Sequence, residues 1–130
     1  MPRPVQLRID LASPVPAYRQ IVEALRTHLV EGAIVPGDTL PPVRRLAGEL
    51  GIHFNTVAQA YRELAAEGWV EVSHGKPVRV VERETPRQAG SDAVERFRAR
   101  IRGLIAEARA QGIARRTVLS EIRTLAEGIK

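Results

Sequence analysis

GDTLPPVRRLAGELGIHFNTVAQAYRELAAEG, residues 37–68, decides the fold. Leu40-Pro41-Pro42 is extended, because a residue before proline is pushed away from helical geometry. Val43, Leu46, Ala47 and Leu50 then recur at helical spacing, which predicts a helix over Val43 to Leu50 that Gly51 ends. Ile52-His53-Phe54 reads as a turn. A second helix is expected from Asn55 to Glu67, with Val57, Ala60, Tyr61 and Leu64 on its apolar face and Gly68 capping its end. Two short helices joined by a tight turn containing glycine are the outline of a helix-turn-helix.

Working outward, Trp69–Val72 and Val78–Val81 are rich in β-branched residues, and Ser73–Pro77 between them reads as a hairpin loop in which Gly75 supplies a positive φ. On the other side, Tyr18, Ile21, Val22, Leu25 and Leu29 form one stripe of a helix from Pro16 to Val30. Pro16 suits its first turn, Gly32 ends it, and Ile34–Asp38 is a turn. The expected class is mainly α with a small β-hairpin wing (α+β). It combines a winged helix-turn-helix over residues 1–83, a linker over 84–91 and a helical hairpin over 92–130. In that last segment Val94, Phe97, Ile101, Leu104, Ile105 and Ala108 line a helix from Asp92 to Gln111, and Asp92 with Glu95 resembles a capping box. Gly112 breaks the pattern, and Val118, Ile122, Leu125 and Ile129 mark a shorter helix. There is no internal repeat and no low-complexity tract.

A formal charge of +5 suggests a polyanionic partner, but its distribution does not locate one. Residues 1–85 hold 10 basic and 10 acidic groups; residues 86–130 hold 10 and 5. Local placement must therefore identify the contacting part. There is no cysteine, so disulfides and thiolate metal sites are excluded, and His28, His53 and His74 lack ligand spacing; no metal or cofactor is expected. Met1–Val5 has no apolar core of a signal segment and no run could span a bilayer, which predicts a cytoplasmic protein without a membrane partner.

The second helix of a helix-turn-helix fits the major groove of duplex DNA, and its N-terminus favours phosphate. Facing away from Val57 and Tyr61 are Asn55, Thr56 and Gln59. Asn and Gln can bond bidentately to adenine, and Thr can serve a base or a phosphate. Arg96, Arg98, Arg100 and Arg102 spread around one helix and read as a solvated face.

Residues 16–81 resemble the DNA-binding domain of the GntR family of bacterial regulators. Gly37 to Ala47 matches its "G-x-x-L-P-(S/P)-x-R-x-L-A" signature. Leu50-Gly51-Ile52 with Asn55-Thr56-Val57 matches its turn, and Ala60-Tyr61, Leu64 and Gly68 match its second helix. The hairpin motif Gly68-Trp69 with His74–Pro77 is similar to the fatty-acid-responsive branch, whereas the Asn-Thr-Val-x-x-Ala-Tyr wording and short helical tail resemble the YtrA-like branch. The resemblance implies that Arg44 contacts DNA from the first helix of the pair, with Arg45 beside it. It places Asn55 and Thr56 on DNA from the recognition helix, and His74, Gly75 and Lys76 in the adjacent minor groove. Two positions depart from the pattern. His53 stands where Ser or Asn is usual, so the helix N-cap is weaker or made differently. Phe54 replaces a common Pro or Arg, so a base contact by Arg is absent there; a packing staple is favoured over contact with a thymine methyl.

The function expected is a DNA-binding transcription regulator, a repressor acting as a homodimer on an inverted repeat. Val94, Phe97, Ile101, Leu104, Ile105, Val118, Ile122 and Leu125 form the expected dimer interface, with room for an unknown small-molecule effector only between subunits or between tail and DNA-binding domain. One rival is an architectural protein that coats DNA without sequence choice. Another is the DNA-binding part of an aminotransferase-fused regulator, for which residues 92–130 are too few to hold the second fold. No nucleophile set, phosphate loop or dinucleotide fingerprint supports an enzyme.

Overall fold

The computed structural model of the chain describes residues 6–84 and 88–129. Over these it is mainly helical, with α1 (Ala17–Glu31), α2 (Val43–Leu50) and α3 (Phe54–Ala66). The strands β1 (Val70–Glu71) and β2 (Arg79–Val80) follow, then α4 (Ser91–Ala110) and α5 (Arg115–Glu127). Two compact units divide the chain, one ending at Arg83 and the other starting at Glu84. Of the expected features, Met1–Val5, linker residues 85–87 and the terminal residue 130 lie outside the described residues.

In the first unit the stripes converge on α3, which packs against α1, α2 and β1. Ile21, Val22 and Leu25 of α1, Leu46 and Ala47 of α2, and Val57, Ala60, Tyr61 and Leu64 of α3 are buried together with Ile34, Leu40, Val70 and Val80. Each large aliphatic side chain removed from water contributes about 1.5–3 kcal/mol, which makes this cluster the main source of the unit's stability. Leu7 and Ile9 pack against it from the N-terminal side. Their segment is tied down by Gln20. The Gln20 carboxamide oxygen accepts the Asp10 N–H at 2.9 Å, and its NH2 donates to the Asp10 and Val15 carbonyls, both at 2.9 Å. Pro16 is the N-cap of α1 and not part of its first turn; its carbonyl accepts the Gln20 N–H at 3.1 Å.

Between α2 and α3 the chain turns at Gly51, whose φ of 69° lies in the left-handed region that side chains disfavour. The Ile52 N–H then reaches back to the Ala47 carbonyl at 3.0 Å, closing α2. After α3, the Trp69 N–H bonds to the Leu64 carbonyl and the Gly68 N–H to that of Ala65, both at 3.0 Å; Glu67 is the C-cap and Gly68 follows it.

The hairpin pairs Val70 with Val80 and Glu71 with Arg79, antiparallel. Its strands are shorter than the sequence suggested, because Val72 is already exposed and the ladder stops there. A third extended piece joins it. Thr39 bridges Arg79, the Leu40 N–H donates to the Val78 carbonyl at 2.8 Å, and the Val80 N–H donates to that of Asp38 at 2.8 Å. The stretch leading into α2 is thereby stitched to the wing.

In the second unit neither α4 nor α5 has a buried residue. Val94, Ile101, Ile105 and Val118 are half-buried, whereas Phe97, Leu104, Leu119, Ile122, Leu125 and Ile129 are exposed. The capping box expected from Asp92 and Glu95 does not form. The N-cap is Gly90, without a side-chain cap, and the helix begins at Ser91, inside the expected linker. Glu95 is therefore too far along to reach the cap residue's N–H, and it pairs with Arg98 at 2.8 Å.

Candidate nucleic-acid interface

The start of α2 is fixed against α3 by one buried contact. The Tyr61 hydroxyl donates to the Pro41 carbonyl at 2.7 Å, and the tyrosine is only 2% exposed. Burial, reinforced by the negative charge of Glu49, pushes the Tyr61 phenol far above its ordinary range, so it stays protonated as a donor. This contact sets where Arg44 and Arg45 emerge, on the second and third residues of α2.

Both arginines are exposed, but they differ in what they face. The Arg45 guanidinium pairs with Glu49 one turn later, at 3.2 Å. The Arg44 guanidinium carbon lies 4.5 Å from the Phe54 ring centroid, across the turn, and has no acidic partner among the described residues. Phe54 is the first residue of α3 and not part of the turn. Its ring stacks on His53, with centroids 4.4 Å apart and planes 27° from parallel.

His53 supplies the helix cap by an unusual route. Its Nδ1 accepts the Asn55 N–H at 3.1 Å, taking one of the orphan donors that Ser or Asn would take. The cap is thus made differently, by an imidazole. Asn55 and Gln59 are exposed one turn apart on α3, while Thr56 is half-buried with its N–H on the His53 carbonyl at 3.1 Å. Arg44, Asn55, Thr56 and Gln59 therefore belong to the paired helix N-termini, and Arg45 lies beside them with its charge engaged.

His74, Gly75 and Lys76 are exposed at the hairpin tip. The Lys76 N–H bonds to the Ser73 carbonyl at 3.2 Å, forming a four-residue turn whose third position is Gly75 with φ 74°. A positive φ at that position calls for glycine, which explains Gly75 without any ligand. Behind the tip Arg79 pairs with Glu71 at 2.8 Å. The eight apolar residues expected at a dimer interface all lie on α4 and α5 and form no enclosed core there.

His53 and Phe54 are what sequence reasoning under-read. In the sequence His53 stands out as a departure from a pattern, and Phe54 as a departure or a packing staple. An aromatic pair directly before Asn-Thr-Val, with an arginine at the start of the preceding helix, is the signal that could have exposed the stack. Among the described residues no helix is long and apolar enough to cross a membrane.

The family described as "Bacterial regulatory proteins, gntR family" matches residues 17–80. The HTH-type transcriptional repressor YtrA of Bacillus subtilis (strain 168) is 40% identical over 70 residues, which is 54% of this chain and 54% of that one. This chain therefore matches about half the length of that relative. The HTH-type transcriptional regulator YhcF of the same organism, itself uncharacterized, is 28% identical over 113 residues, 87% of this chain and 92% of that one. Among solved structures, YtrA from Sulfolobus acidocaldarius, a GntR-family transcription factor, is similar with a TM-score of 0.54 and 32% identity, over 93% of this chain and 97% of that one. The family and these relatives are transcription regulators, not enzymes. With the five helices of its described residues, its small wing and the matched helix-turn-helix, the chain belongs to the GntR family of bacterial regulators, in the YtrA-like branch.

Proposed function

We propose that the chain is a sequence-specific, cytoplasmic transcription repressor that binds an inverted-repeat operator as a homodimer. The observation that carries this is the first half of α3, where Asn55 and Gln59 stand exposed one turn apart, together with an Arg44 that has no acidic partner among the described residues. Amide side chains at that spacing suit base edges in a major groove, and the arginine suits guanine or phosphate. Arg45 and Thr56 complete the groove set. His74, Gly75 and Lys76 at the hairpin tip suit the neighbouring minor groove. The repressor assignment is supported by what the Bacillus relative is called.

Dimerisation is assigned to α4 and α5, where the apolar side chains Phe97, Leu104, Ile122 and Leu125 are left exposed. A two-helix unit this small has no core of its own. Two copies about a two-fold axis would cover both stripes as a four-helix arrangement. Each copy would then present one reading helix, so the half-sites must be inverted, and doubling the contacts lifts a small module to useful specificity. The linker would let the two winged units adjust to the half-site spacing. Any small-molecule effector would bind between copies.

The test is to sequence the duplexes that the purified protein retains from a random pool, then measure affinity on the best one and on random DNA. An inverted repeat is expected, with affinity falling on the order of a thousandfold between about 50 and 200 mM salt. Asn55→Ala should cost about 1–3 kcal/mol on the operator and much less on random DNA, whereas Lys76→Ala should weaken both evenly. Equal losses from Asn55→Ala on both duplexes would make the protein an architectural DNA binder.

A further inference from the structure

Arg44, Phe54 and His53 form a run of contacts that joins the N-terminus of α2 to that of α3. The guanidinium lies over the Phe54 ring at 4.5 Å, that ring lies on the imidazole at 4.4 Å, and the imidazole Nδ1 holds the Asn55 N–H at 3.1 Å. The two helix ends it joins are already fixed relative to each other by the Tyr61–Pro41 hydrogen bond. A lone exposed arginine on a helix end samples many rotamers, and ordering it opposes binding. An arginine face resting on an aromatic ring is pre-ordered, and its N–H groups, which lie in the guanidinium plane, remain free for a guanine edge or a phosphate.

We propose that Phe54 is a positioning residue for DNA binding: it contributes to operator affinity through Arg44, by holding the guanidinium ready, and not by touching a base. This rests on the proposed DNA-binding role of the α2 and α3 N-termini. It also gives the Phe at this position a purpose, since the ring does not bury itself in the core and is 37% exposed. A cation held over a ring keeps N–H groups that can donate to DNA, so one side chain can serve both at once. An aliphatic side chain of similar bulk would fill the space but offer no ring face.

The experiment is a double-mutant cycle on the operator recovered by selection. Phe54→Leu should weaken operator binding about fivefold, the scale of a partly exposed cation–π contact, and Phe54→Trp should restore affinity to within about twofold of wild type. In an Arg44→Ala background, Phe54→Leu should cost less than about twofold, because there is nothing left to position. Circular dichroism confirms that each variant is folded, and Phe54→Trp supplies the measurement should the leucine variant unfold. A fivefold loss that persists in the Arg44→Ala background would show that Phe54 meets DNA itself and overturn the proposal, as would a leucine variant that binds like wild type. Failure of the wild-type protein to select any duplex would instead overturn the proposed DNA-binding role, so the two failures are distinguishable.

Discussion

Replacing Tyr61 by phenylalanine removes one oxygen and tests the contact that registers α2 on α3. The ring is 2% exposed and packed among Leu46, Val57 and Leu64, so phenylalanine keeps the apolar packing. Only the 2.7 Å hydrogen bond to the Pro41 carbonyl is lost. A net hydrogen bond is worth about 1 kcal/mol, and leaving a part-buried carbonyl without its donor raises the cost to about 1–2 kcal/mol. For a unit of this size each kcal/mol moves the melting temperature by about 4–8 °C. The pH dependence gives a second, independent reading. Burial and Glu49 raise the folded phenol's pKa above that of the unfolded chain, which is near 10. Below about pH 10 both states keep the proton and the full stability is present. Above it the unfolded chain loses its proton first, and stability falls by up to about 1.4 kcal/mol per pH unit until the folded phenol itself ionises. Tyr61→Phe has no such slope. Urea unfolding between pH 7 and 11, followed through Trp69, the single tryptophan, measures both proteins in the winged unit. Curves that run parallel above pH 10, or a variant as stable as wild type at pH 7, would refute the reasoning.

On the reading edge, Arg44→Ala should cost about tenfold in operator affinity and Arg45→Ala less than about threefold, because Arg45 must give up Glu49 before it can serve DNA. Gel shifts on the selected operator decide it, and a larger loss from Arg45→Ala would reverse the assignment. In the tail, replacing Ile101 and Leu104 by Asp should yield monomers by sedimentation and weaken operator binding strongly, with Trp69 fluorescence unchanged. A double variant that stays dimeric and binds normally would move the interface elsewhere, to α1 in the first instance.

The helix-turn-helix was legible because its apolar residues obey one period. Leu46, Ala47, Val57, Ala60, Tyr61 and Leu64 share helical spacing, and all are buried. Features outside a local period were harder to see. The pairing of residues 37–40 with the hairpin joins stretches about forty positions apart, and nothing within either stretch announces it. Leu7 and Ile9 alternate with Gln6 and Arg8, a period-two signal that a reading centred on helices passed over. Helix starts failed for chemical reasons. His53 was not an expected cap residue, so α3 was begun at Asn55, one residue late. At α4 the Asp92–Glu95 pattern imitated a box whose first member lies inside the helix, where its backbone no longer needs that partner.

Net charge misled less than it first appeared to, because only local charge survives screening beyond about 8 Å at physiological salt. The winged unit is close to neutral, yet several of its acids are already engaged. Glu67 pairs with Arg26, Glu71 with Arg79 and Glu49 with Arg45, while Asp38 accepts the Val35 N–H at 3.0 Å. Arg83 donates to the Glu67 carbonyl at 2.8 Å and lies over Trp69, so it serves the frame behind the hairpin. At the edge itself Arg44 and Lys76 keep their charge without an acidic partner among the described residues. A unit built this way has little general attraction for a polyanion. On the proposed reading it would gain from DNA mainly when the α3 N-terminus and the hairpin tip are both seated, and that would favour recognition of one register over indiscriminate coating.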